Sequence, residues 1–320
     1  MAAGLGTRLR PLTYGLPKPM VPLANRPVME HILRVLGSHG FDHAIANLHW
    51  FPELIRDRFE DGSELGIELT YSYEEELLGT AGGVRNVAEY FGSEPFLVMA
   101  ADALTDIDLA ALRAAHEAND GIATLAVKRV PNVSEFGVVI VDADGRIQGF
   151  QEKPDPAEAL SDLASCMIYM LSPEIFDYFP DRPAVDFALD VFPALLDNDV
   201  SFHVHEIDAY WNDVGSLPEY LQGNLDALTG RVRVELEGEL LEPSGGDAAV
   251  ETGEPGVSGR VLVAEGCRID PTARLDGPLV IGPGSTVGAG SRVKESVLLP
   301  GADVPEGALV AGAVYGRRYL

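Results

Sequence analysis

Between Val263 and Val293 an aliphatic residue returns at every sixth position: Val263, Ile269, Leu275, Ile281, Val287 and Val293. Neither an α-helix nor a simple strand has that period, since their side chains recur at 3.6 and 2 residues. A six-residue repeat with glycine or another small residue close behind predicts a β-helix, each hexapeptide forming one side of a triangular coil. The phase slips after Val293 and resumes at Leu298, Val304 and Val310, enough for about three coils. All seven histidines precede the repeat. The tail therefore lacks the histidine base on which hexapeptide acyltransferases generally rely, and assembly or regulation is its expected role.

Upstream, from residue 26 to about 230, helical and strand patterns alternate. Pro27 suits a first helical turn, and Val28, Ile32, Leu33 and Leu36 make an apolar stripe that Gly40 ends. Ala44 to Leu48 and Ile67 to Tyr71 read as strands, Thr80 to Phe91 and Leu109 to Ala118 as helices, and Ile122 to Val127 as a strand. Phe96 to Ala101 is a continuous apolar run, the pattern of a strand buried on both faces. Phe136 to Phe150, with Asp144-Gly145 at its middle, reads as a hairpin. The alternation implies an α/β layer architecture with a largely parallel sheet. Ser244-Gly245-Gly246 and Pro255-Gly256 mark 231–260 as a linker or arm between the two parts.

No run of about 18 apolar residues is present, so no membrane span is expected. Two cysteines, Cys166 and Cys267, lie in apolar contexts and fit buried thiols in a cytoplasmic protein. A net charge of −27 argues against nucleic acid and anionic membrane as partners. Against that background Arg8, Arg10, Lys18 and Arg26 crowd into the first 26 residues, where no acid occurs. They read as a local cationic patch suited to a nucleotide polyphosphate. Within it, Gly4-Leu5-Gly6-Thr7-Arg8 lets backbone N–H groups approach phosphate oxygens, and Lys18 is held between Pro17 and Pro19.

Other candidates divide between two readings on their residues alone. Asp102, directly after the apolar run, is equally a cap or a ligand at a strand's carboxyl end. Asp213, in Trp211-Asn212-Asp213-Val214-Gly215, is a turn residue or a metal ligand. Glu152-Lys153-Pro154 has the composition of an exposed charged turn. Leu78-Gly79-Thr80-Ala81-Gly82-Gly83 opens a helix, with Thr80 or Ser72 as candidate caps or with N–H groups facing a base or sugar.

The stretch from Ala2 to Pro22 resembles the signature of sugar-1-phosphate nucleotidylyltransferases, the enzymes that make NDP-sugars. The likeness runs through about residue 230, and the tail resembles the left-handed β-helix appended to many of them. It implies a Rossmann-like, mostly parallel catalytic domain over 1–230, a linker over 231–260 and the β-helix over 261–320. In the family an apolar strand precedes the loop. Here only Met1 precedes Ala2, so a start upstream of Met1 is expected.

By the same resemblance, Arg8 and Lys18 serve the triphosphate, and Ala3, Gly4, Gly6, Thr7, Gly79 and Thr80 bind the nucleotide. Glu152 holds sugar hydroxyls, Lys153 the sugar phosphate, and Ser165 lines the sugar site. Asp102 and Asp213 hold Mg2+, the implied cofactor. Relatives usually carry glycine where Ala101 and Met167 stand here, and asparagine near Ser165, so the sugar pocket departs from the family pattern. Asp186-Phe187 matches the family's acidic–aromatic pair.

Among the branches, the Leu-Gly-Thr-Ala-Gly segment with a β-helix tail looks most like mannose-1-phosphate guanylyltransferases. That likeness implies GTP and GDP-mannose, with glucose-1-phosphate thymidylyl- and adenylyltransferases as alternatives. A regulatory subunit that binds nucleotide sugar without turnover is the alternative of another class. A homo-oligomer is expected.

Overall fold

A computed structural model describes residues 1–241, 243 and 255–316; the Ser244-Gly245-Gly246 part of the expected linker lies outside them. The chain divides into two compact units. The first comprises Met1–Leu5, Leu33–Ala101 and Ile107–Trp211. The second comprises Gly6–Ile32, Asp102–Asp106 and Asn212–Leu320.

The first unit is the α/β part. Its strands are β1 His43–Leu48, β2 Glu68–Tyr73, β3 Phe96–Met99, β4 Ala123–Arg129, β5 Gly137–Val141, β6 Ile147–Glu152, β7 Leu163–Leu171 and β8 His203–Glu206. β1 and β2 form a parallel pair, and the others a six-stranded sheet in the order β8-β4-β7-β5-β6, with β3 also bonded to β7. β8 runs parallel to β4, whereas β7 is antiparallel to β3, β4 and β5. β5 and β6 are the expected hairpin around Asp144-Gly145. The core beneath is aromatic: Phe187, Phe192 and Phe202 are buried, Phe192 and Phe202 stack with Phe150, and Phe187 stacks on Phe192.

β7 changes partner along one edge. Ala164 lies opposite Val138 of β5, and from Ile168 onward the strand pairs with β3. Its register against β4 shifts between Ser165 and Tyr169, and Met167 inside this bulge has φ +57°. That conformation suits glycine; for a residue with a β-carbon it costs about 1–2 kcal/mol. Next to β3, the Met1 ammonium donates to the Met99 carbonyl at 2.6 Å, and Ala101 N–H donates to the Met1 carbonyl at 2.9 Å.

In the second unit the repeat is a β-helix, with parallel ladders on three faces. One face stacks Val257, Leu275, Val293 and Val310, and another stacks Ile269, Val287 and Val304. The third stacks Val263, Ile281 and Leu298 and ends at Tyr315. Leu275 meets Val293 eighteen residues on, but Val293 meets Val310 only seventeen on. The sequence slip is therefore a shortened corner at Lys294-Glu295-Ser296, where Glu295 has φ +45°. Glu239–Leu241, inside the expected linker, pairs antiparallel with Val261–Val263. It supplies partners to a ladder edge of the first coil.

Residues 6–32 dock within this second unit. Ala24 and Asn25 take positive φ between the paired residues Leu23 and Arg26, a tight hairpin. The buried Asn224, on the helix Leu217–Thr229, accepts from Ala24 N–H at 2.8 Å, and Asn25 donates to the Glu237 carbonyl at 3.0 Å.

Candidate active site

In the second unit four of the singled-out residues converge. Lys18 Nζ lies 3.0 Å from Asp102 Oδ2 and donates to the Asp213 carbonyl at 2.6 Å. Arg8 Nη2 donates to Asp213 Oδ2 at 3.2 Å. Lys18 sits in a short 3-10 turn entered from Pro17 and is only 8% exposed. Gly6, at φ +59°, brings the loop against it. A β-carbon there would stand 3.0 Å from Lys18 Cβ and 3.1 Å from Thr13 Cγ2. Thr13 then fastens the bend by donating to the Gly6 carbonyl at 2.7 Å.

Asp213 is shaped by two successive side-chain turns. Asn212 Oδ1 accepts from Val214 N–H at 2.7 Å, and Asp213 Oδ1 from Gly215 N–H at 3.1 Å. Between them Val214 is fully buried at φ +48°, which a β-branched residue rarely adopts. Backbone strain here accompanies the fixed direction of the Asp213 carbonyl and carboxylate.

The cationic patch is smaller than the sequence suggested. Arg26 is paired with the buried Glu30 one turn along and with Glu237, and Arg10 lies over the Tyr14 ring. Arg8 and Lys18 are each held by an acid from far along the chain. A stretch free of acids in sequence is not free of them in space.

In the first unit, Glu152 and Ser165 line one cleft of about 390 Å³ with Gly137, Phe150, Tyr169 and Leu189. Ser165 Oγ is 3.4 Å from the Tyr169 hydroxyl, which donates to Met167 Sδ at 3.1 Å. Burial pushes the Tyr169 phenol well above its ordinary pKa, so it stays a neutral donor. Lys153, at φ +44°, is exposed and 3.3 Å from Glu152 Oε1.

Gly79 and Thr80 open the helix Gly79–Arg85, and neither Thr80 nor Ser72 caps it. The Thr80 hydroxyl donates to Asp186 Oδ2 at 2.8 Å and accepts from Phe187 N–H at 3.0 Å. Ala81 and Gly82 N–H both donate to the Val185 carbonyl, so these donors are spent inside the protein. Gly79 is demanded by packing, because a β-carbon there would lie 2.4 Å from Val185 O. Gly4 differs: a β-carbon on it would meet nothing within 4 Å.

Residues 1–230 match the nucleotidyl transferase family. The chain belongs to that family. It is 36% identical to a UTP–glucose-1-phosphate uridylyltransferase of Synechocystis sp., over 99% of this chain and 86% of that one. It is 33% identical to a mannose-1-phosphate guanylyltransferase of Mycobacterium tuberculosis, over 97% of this chain and 81% of that one. HddC from Yersinia pseudotuberculosis shares the fold, with a TM-score of 0.61 at 24% identity, covering 70% of this chain and 95% of that structure.

Two features of this nucleotidyl transferase were passed over in sequence. Glu74 is 3% exposed; its two carboxyl oxygens accept from Asn47 Nδ2 at 2.8 Å and Leu78 N–H at 3.0 Å. Asn47 in turn accepts from Ala2 N–H at 2.7 Å. An asparagine within the apolar run Ala44 to Leu48 was the available signal. Ser201, His203 and Asp120 also meet, although no such trio was expected. Serine and aspartate contact the same ring nitrogen, so the imidazole cannot be oriented by one while taking a proton from the other. Among the described residues no helix is long and apolar enough to cross a membrane.

Proposed function

We propose that this sugar-1-phosphate nucleotidyltransferase joins GTP to mannose 1-phosphate, giving GDP-mannose and pyrophosphate. The meeting of Arg8, Lys18, Asp102 and Asp213 carries the nucleotidyl transfer, and the likeness to a mannose-1-phosphate guanylyltransferase supports GTP and mannose 1-phosphate as the pair. An oxygen of the sugar phosphate attacks the α-phosphorus, and the bond to the β-phosphate oxygen breaks, with pyrophosphate taking the electron pair. The nucleophile is already anionic, so no general base is needed, and the protein contributes position and charge. Arg8 and Lys18 neutralise the triphosphate and the departing pyrophosphate. Lys153 steers the incoming phosphate, Glu152 and Ser165 face the sugar, and Ala3, Gly4, Gly6, Thr7, Gly79 and Thr80 bound the nucleotide.

Asp102 and Asp213 fit a divalent cation: both offer hard oxygens, and the Asp102 carboxylate and the Asp213 carbonyl meet at one lysine. When bound, Mg2+ supplies further neutralisation of the phosphates. We place the catalytic domain at 1–230 and the β-helix at 261–320, in a cytoplasmic homo-oligomer that binds neither nucleic acid nor membrane.

The 36% identity to the uridylyltransferase favours a second reading, UTP with glucose 1-phosphate. One assay separates them. Pyrophosphate release is measured with each common nucleoside triphosphate against a panel of sugar 1-phosphates. Fastest release with GTP and mannose 1-phosphate supports the proposal, fastest release with UTP and glucose 1-phosphate selects the alternative, and no release with any pair rejects both.

A further inference from the structure

Each carboxylate assigned to the metal already holds a cation of this chain. Lys18 is on Asp102 at 3.0 Å, and Arg8 is on Asp213 at 3.2 Å. Those two cations are the groups assigned to the triphosphate. Lys18 is 8% exposed and also donates to the Asp213 carbonyl, so its ammonium stays beside Asp102 until a ligand competes for it. One set of four charges is thus asked to serve two ligands, and its members neutralise one another in their absence.

We infer that the site works by exchange of ion pairs, so that a divalent cation and a nucleoside triphosphate each bind weakly alone and strongly together. The inference rests on the proposed assignment of these four residues. A triphosphate arriving without metal draws Arg8 and Lys18 toward its own oxygens. Asp102 and Asp213 are then left uncompensated beside more negative charge, in a protein of net charge −27. A metal ion arriving alone must displace an ammonium and a guanidinium from their carboxylates, and Lys18 keeps only the neutral Asp213 carbonyl. When both arrive, each stranded charge finds the other ligand. The coupling is reciprocal: the factor by which metal tightens triphosphate equals the factor by which triphosphate tightens metal.

The exchange has a consequence opposite in sign to simple loss of a site residue. Removing the Lys18 charge should weaken triphosphate binding and strengthen binding of the metal by itself, because Asp102 is released. Removing the Asp102 charge should strengthen metal-free triphosphate binding, because Lys18 is released.

The test uses the full chain with Mn2+ as probe, by electron paramagnetic resonance and calorimetry, without nucleotide and without turnover. Lys18→Met is expected to bind Mn2+ about tenfold more tightly than the parent, and Arg8→Met about fivefold. The Arg8 side chain is 59% exposed, so that variant is safe for folding, and solvent screens its pair more. In parallel, Asp102→Asn should bind metal-free GTP and UTP more tightly than the parent. Unchanged or weakened Mn2+ binding in both cation variants would overturn the exchange. If Asp102→Asn and Asp213→Asn leave Mn2+ binding untouched, with or without nucleotide, the metal assignment itself falls instead.

Discussion

A β-carbon on Gly215 would stand 2.7 Å from Asp213 Oδ2 and 3.0 Å from Arg8 Nη1. Gly215 is therefore the space in which the Arg8–Asp213 pair forms. Its φ is not positive, so alanine there adds a clash without backbone strain. Gly215→Ala is expected to cut kcat about tenfold or more while shifting Tm by only a few degrees. Wild-type turnover in this variant would show that the Asp213 side chain has no fixed catalytic position.

Asp102→Asn and Asp213→Asn should each lower turnover about tenfold or more and leave the chain folded, since each removes a charged oxygen from the proposed metal site. The decisive measurement is kcat against Mg2+ concentration. Parental turnover at limiting Mg2+ in either variant removes that residue from the metal site.

Lys153 and Arg8 belong to different substrates in the proposed reaction. Lys153→Ala should raise KM for the sugar phosphate, and Arg8→Ala should raise KM for the triphosphate, each by about tenfold. Both side chains are exposed, so neither change disturbs packing. Initial rates with one substrate varied at a time check this, and the reverse pattern would exchange the two roles.

The β-helix was legible because its period excludes every common alternative, and even the phase slip survives as a shortened corner. Asp102 was legible as a candidate because its apolar strand is local. Pairings across the chain were not. Nothing near Lys18 announces a carboxylate 84 positions away, and the acid-free opening stretch pointed to a larger cationic patch than exists. Arg26 is instructive, because Glu30 lies one helical turn on and was visible in the sequence. The Thr80–Asp186 bond had no local signal; it depends on how two distant segments pack.

Met167 turns a sequence departure into a measurable quantity. Its φ of +57° arises where β7 passes from β5 to β3, a geometry that glycine meets without cost. Met167→Gly relieves about 1–2 kcal/mol of backbone strain but loses a half-buried side chain of similar worth. Stability should therefore change by less than about 1 kcal/mol, measured by urea unfolding. Ser165 and Tyr169, two neighbours of Met167, line the cleft proposed for the sugar, so the preference among sugar 1-phosphates should shift far more than stability does. A large loss of stability with unchanged preference would assign Met167 to packing alone.

Acid sensitivity should trace to His116. It is 4% exposed on the helix Leu109–Ala118, with Nδ1 3.0 Å from Thr124 Oγ1 and Nε2 3.1 Å from Ser172 Oγ. Burial lowers its pKa below the ordinary histidine value, and the nearby Glu117 opposes the shift only in part. His205 is shifted the same way, also chiefly by burial. A lowered folded pKa means that the unfolded chain takes up the proton first as pH falls. Stability is then full above the unfolded value of about 6.5 and declines as pH drops below it, until the folded pKa is also passed. Tm should fall between pH 7 and pH 5 by more in the parent than in His116→Gln, whose amide can still reach one hydroxyl but does not titrate. Parallel Tm curves for the two proteins across that range would place the acid sensitivity elsewhere.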